Sequence, residues 1–174
     1  MNKILKIVII SVAVLALAFY GFLTFTKSKS PADTASFNQN GLSVQVDYCR
    51  PYKKDRVIFG QLLPYGKVWR TGANEATIFE VKQDVKIADK PLKAGKYTLW
   101  TIPGADNWTI VFNSQTGQWG TEYDETKDVL RVDVPASKLA ETVEQFKIDF
   151  VSAEGGSDMI LRWENTEVKV PVRL

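Results

Sequence analysis

Leu42-Ser43-Val44-Gln45-Val46-Asp47-Tyr48-Cys49 sends Leu42, Val44, Val46 and Tyr48 to one side of an extended chain and Ser43, Gln45 and Asp47 to the other. That two-residue period belongs to a strand with one buried face. Toward the C-terminus it recurs in Thr77, Phe79 and Val81, in Val85–Ile87, in Lys96–Ile102, in Trp108, Ile110 and Phe112, in Val129–Val134, in Phe146, Ile148 and Phe150, in Met159, Leu161 and Trp163, and in Val168, Val170 and Val172. Turn residues separate these runs: Asp89-Lys90-Pro91, Pro103-Gly104, Asn113–Gly117 and Gly155-Gly156. Pro171 cannot donate to a ladder, so the last run is expected at an edge or as a closing strand. Val44, Val46, Phe79, Leu99, Ile110, Val132, Ile148 and Leu161 are the expected core. Ala136–Gln145 is the best candidate for a short helix, because Leu139 and Val143 are four residues apart. No other stretch beyond the N-terminus offers the helices that parallel crossovers need. The expected fold is therefore all-β, an antiparallel β-sandwich or flattened barrel.

Working toward the N-terminus, Ser28–Asn40 is polar and aperiodic and reads as a flexible tether. Before it, Ile7–Phe25 carries no charge over 19 residues. As a helix this run is about 28 Å long, close to a bilayer's hydrocarbon thickness. A cleaved secretory signal is the rival reading, since Ala16-Leu17-Ala18 has a small-x-small form. The apolar run nevertheless continues past Ala18 through Phe19, Tyr20, Phe22, Leu23 and Phe25, which favours a retained transmembrane helix. The expected organisation is an anchor over residues 1–27, a tether over 28–40 and a β domain over 41–174. Two lysines flank the run on each side, so only the α-amino group tilts orientation toward an outside domain.

Composition narrows the chemistry. The chain has 174 residues, no histidine and one cysteine, Cys49. Histidine acid–base catalysis, an internal disulfide and the usual zinc sites are thereby removed. Deleting residues 1–30 takes away four lysines and no acid, so the formal net charge of +2 becomes −2. The basic balance resides in the anchor, which gives no reason to expect nucleic acid as a partner. Asp124, Glu125 and Asp128 lack the spacing and central glycine of an EF-hand, and there is neither a phosphate loop nor a nucleophile elbow. No metal and no cofactor are expected.

One stretch is dense in functional groups: Ile58-Phe59-Gly60-Gln61-Leu62-Leu63-Pro64-Tyr65-Gly66-Lys67-Val68-Trp69-Arg70-Thr71-Gly72-Ala73-Asn74-Glu75-Ala76-Thr77. Tyr65 and Trp69 supply flat surfaces, Arg70 a forked cation, Asn74 an amide and Glu75 an anion. These five are the first candidates for ligand contact; Asp47, Arg50 and Trp119 are the second, and Arg56 lies close by in sequence. The group suits a carbohydrate, a cell-wall fragment or a small acidic ligand. Two other readings stay open. In one, the segment is a latch in a structural or interaction domain, with Trp69 plugging the core and Arg70 paired to Glu75. In the other, Glu75 with Asp47 or Glu122 forms the carboxylate pair of a hydrolase.

Together with Tyr48-Cys49-Arg50-Pro51, Ala94-Gly95-Lys96-Tyr97, Thr101-Ile102-Pro103, Trp108-Thr109, Gln118-Trp119-Gly120 and Asp128-Val129-Leu130-Arg131-Val132, this stretch resembles a bacterial family of extracytoplasmic proteins, domain of unknown function 2911, common in Bacteroidetes. The resemblance runs from about Val44 to Leu174. It implies a periplasmic domain, held at the inner membrane if the anchor stays and secreted if it is cut, and it implies no established activity. Cys49 stands where the family often has serine, which argues against a cysteine nucleophile.

Overall fold

The computed structural model describes residues 2–174, apart from the side chains of residues 22, 23, 26 and 27. Helix α1 (Lys3–Ser28) is strongly apolar over its window Lys3–Gly21, with a mean hydropathy of 2.4, and that window is unburied by the rest of the chain. A helix of this length and apolar content suits a membrane span. Two of its hydroxyls bond back to the helix: Thr24 Oγ1 donates to the Gly21 carbonyl at 2.9 Å and Ser28 Oγ to that of Phe25 at 2.7 Å. Such back-bonding satisfies a hydroxyl that a bilayer cannot.

Nine strands follow: β1 (Ala32–Gln39), β2 (Leu42–Cys49), β3 (Thr77–Val81), β4 (Val85–Ile87), β5 (Lys90–Leu92), β6 (Gly95–Ile102), β7 (Asn107–Asn113), β8 (Asp128–Ala153) and β9 (Gly156–Arg173). All pairings are antiparallel, in the order β1-β2-β3-β6-β7-β8-β9-β4-β5. The long β8 joins two halves, pairing through Asp128–Pro135 with β7 and through Ala136–Ala153 with β9. One hydrophobic cluster draws residues from every strand, so the ladder is folded over on itself. All eight core residues expected from the sequence lie buried in it.

Three expectations need correction. The tether is interrupted, because Ala32–Gln39 forms β1, in register with β2 from Ala32↔Cys49 to Gln39↔Leu42. Asn40 and Gly41, at φ 52° and 81°, make the two-residue turn whose twist matches a hairpin. The expected helix at Ala136–Gln145 is strand, because a spacing of four fits a period of two as well as one of 3.6. Here β8 takes nine steps from Lys138 to Lys147 while β9 takes four from Thr166 to Arg162, so the surplus residues bulge outward. Finally, β9 lies inside the ladder between β8 and β4. It tolerates Pro171 because the ladder uses only that residue's carbonyl, which accepts from Ala88 N at 3.0 Å.

Candidate functional site

The connection from β2 to β3, residues 50–76, has no regular strand, yet it is pinned throughout. Pro51 O accepts from Phe146 N (2.9 Å) and Glu144 O from Lys53 N (2.6 Å), so the start of the loop caps the bulged part of β8. Carboxylate oxygens of Glu164 accept from the backbone N–H groups of Ile58 (3.2 Å) and Phe59 (3.4 Å), and both side chains enter the core. Trp69 exchanges two backbone hydrogen bonds with Thr101, at 2.7 and 2.9 Å.

Trp69 is only 6% exposed and donates from Nε1 to the Gly72 carbonyl at 3.0 Å. Its ring meets those of Phe59, Trp108, Phe146 and Trp163, with centroids 5.0 to 6.5 Å apart. Most of the indole is thus core, as the latch reading anticipates, and its remaining surface floors a cleft. Thr71, directly after Arg70, is held at φ 54°. A β-branched residue rarely adopts that conformation. Its neighbours hold it there: Thr71 Oγ1 lies 3.2 Å from Thr101 Oγ1, and its carbonyl accepts from Thr77 Oγ1 at 2.9 Å.

The larger cleft, of about 550 Å³, opens between Pro51–Arg56, Leu62–Leu63 and Trp69–Asn74, with Trp163 beneath and Lys29 and Ser30 on one wall. Four cations line it, Lys29, Lys54, Arg56 and Arg70, and no carboxylate does. None of the four makes an ion pair among the described residues. Arg70 is half-buried, and that loss of water lowers its pKa; Nη1 donates to the Asn74 carbonyl at 3.4 Å. Arg56 donates to the carbonyls of Lys53 and Tyr52 and so holds its own turn closed. Nearby carboxylates are used by the backbone: Glu144 accepts from Lys54 N at 2.8 Å, and Glu164 is taken up as described above. The indole N–H of Trp163, a residue 2% exposed, has no hydrogen-bond partner among the described residues. A buried donor left unsatisfied is costly and therefore uncommon.

A second cleft of about 370 Å³ lies beside β1 and β2, lined among others by Asp33, Asp47, Tyr48, Cys49 and Glu75. Asp33 pairs with Arg50 at 3.1 Å. Asp47 accepts from Thr34 Oγ1 at 2.7 Å and from Gln45 Nε2 at 3.0 and 3.1 Å. Tyr48 Oη accepts from Ile148 N at 2.9 Å, and burial pushes its pKa up to about 12. The carboxylates that hydrolase chemistry would require are gathered here, although Asp33 and Asp47 are already engaged by neighbouring donors.

Of the residues singled out in the sequence, Trp69, Arg70 and Asn74 share the first cleft, whereas Glu75 and Asp47 share the second. Tyr65 lines neither; it is 48% exposed, with its ring over Gly60. Arg50 is a clamp, reaching Asp33 and, through Nε, the Phe146 carbonyl at 3.1 Å. Trp119 is 40% exposed and bridges to Glu75 through its backbone. Sequence reading missed Lys29, Lys54 and Trp163 as partners of Arg70. The available signal was the basic run Tyr52-Lys53-Lys54-Asp55-Arg56 on the same connection.

The sequence model of a family described as "Protein of unknown function (DUF2911)" matches residues 30–172, and the chain belongs to that family. Neither a curated protein nor a solved structure matches it.

Proposed function

We propose that this DUF2911 domain is a non-catalytic binding module whose larger cleft takes a small anionic ligand, such as an acidic sugar, a cell-wall fragment or a carboxylated metabolite, on the outer side of the inner membrane. One observation carries the reading: four cations and no carboxylate line the cleft. Cations gathered without counter-charges repel one another, and an anion relieves that repulsion. Arg70 offers a fork to a carboxylate or phosphate and Asn74 an amide. Nothing in this donor set activates a water or a leaving group, so binding is favoured over catalysis.

Calorimetric titration of the full-length chain in neutral detergent with galacturonate and with galactose tests it. The acidic sugar is expected to bind, more weakly as salt rises, and the neutral one to give no heat. Equal binding of both, or of neither, would refute the proposal.

A further inference from the structure

The cleft lies next to the membrane helix. Lys29 follows the last residue of α1, and with Ser30 it forms part of the cleft wall. From Phe25, where the uncharged run ends, four residues, the last of them just past the helix, carry the chain about 6 Å to Lys29. The polar layer on each side of a bilayer is about 5 to 8 Å thick. Lys29 Nζ sits 4.6 Å from the centroid of the Phe25 ring, so the first cleft cation touches the last ring of the apolar run. Exposed apolar side chains stand beside these cations: Tyr52 and Leu62 line the cleft with Lys54 and Arg56, and Val57, Tyr65 and Val68 are exposed elsewhere on the same connection. Exposed aromatic and aliphatic side chains beside cations are the composition that settles at a headgroup layer.

On this basis, and resting on the anion-binding reading above, we infer that the occupant of the cleft is the phosphate of an anionic phospholipid headgroup from the bilayer that α1 crosses. Lys29, Lys54, Arg56 and Arg70 surround the phosphate, Tyr52 and Leu62 rest among the outer acyl and glycerol groups, and the loop docks the domain on the membrane surface. The domain is then held at two points, by its helix and by a lipid.

The test is hydrogen exchange over residues 51–56 and 62–74 of the full chain in nanodiscs of phosphatidylcholine alone or mixed with phosphatidylglycerol. Phosphatidylglycerol should slow exchange in both segments. Each cation near an anionic surface is worth about fivefold in binding. Lys54→Asn, which keeps a residue suited to the φ of 53° at that position, should therefore weaken the protection by about that factor while leaving the fold intact. Arg70→Gln should weaken it too. Identical exchange in the two discs would overturn the lipid assignment. If glycerol 3-phosphate slows exchange in phosphatidylcholine discs while phosphatidylglycerol does not, the cleft binds a soluble anion and only the lipid source is wrong. No effect from either probe would sink both readings.

Discussion

The two clefts on either side of the Arg70–Glu75 backbone differ in how their charges are answered. In the acidic cleft Asp33 has Arg50, and Asp47 has Thr34 and Gln45. In the basic cleft Lys29, Lys54, Arg56 and Arg70 face no carboxylate, and the nearby acids serve backbone N–H groups instead. Charge that is internally compensated is part of the architecture; charge left uncompensated on a concave, pinned surface is what the proposed anion site rests on. Pinning matters because a rigid site pays little ordering entropy on binding.

The change expected to disturb both clefts most is Trp69→Ala. It removes an aromatic ring from a packed cluster and should cost about 3 to 5 kcal/mol. Denaturant unfolding reads that loss; a much smaller value would mean that the loop is not anchored through the core. Tyr48→Phe tests the acidic side alone. It leaves Ile148 N–H buried without its acceptor, for a loss of about 1 to 3 kcal/mol. Because folding raises the pKa of Tyr48 from 10.0 to about 12, the protonated phenol's contribution is complete below pH 10 and disappears as the pH passes about 12. Tyr123, also raised to about 12 by burial and by Asp128, behaves alike, so the variant should flatten the alkaline loss of stability without abolishing it. Gly120→Ala addresses the basic side. The added carbon would come within 2.3 Å of Arg70 Cδ and 2.6 Å of the Asn74 carbonyl. A cost of about 1 to 3 kcal/mol is expected, with anion affinity falling further than stability because Arg70 is displaced. Unchanged affinity would separate Arg70 from the site.

The strands were legible because one face of each is buried, and burial imposes a two-residue alternation that a reader can see, as in Leu42 to Tyr48. Strand β1 was not, since of its eight residues only Phe37 is buried and the rest are polar or small. Its one clear sign was Asn40-Gly41, a turn signal rather than a strand signal. In the connection, nearness in sequence misled: Asn74 and Glu75 are neighbours, yet they belong to different clefts, because a chain at φ 61° turns between them. Arg70 and Asn74 line the same cleft. Their further companions, Lys29, Lys54 and Trp163, come from a helix end, a loop start and β9, and only a folded ladder brings these together.

The contrast between the clefts is tested most directly by titrating a small dianion, glycerol 3-phosphate, into the detergent-solubilised full chain as wild type, Arg70→Gln and Asp47→Asn. Arg70→Gln is expected to lose most of the binding, while Asp47→Asn binds as the wild type does or slightly more tightly because a distant negative charge is gone. Full binding by Arg70→Gln, or loss of binding in Asp47→Asn alone, would contradict it.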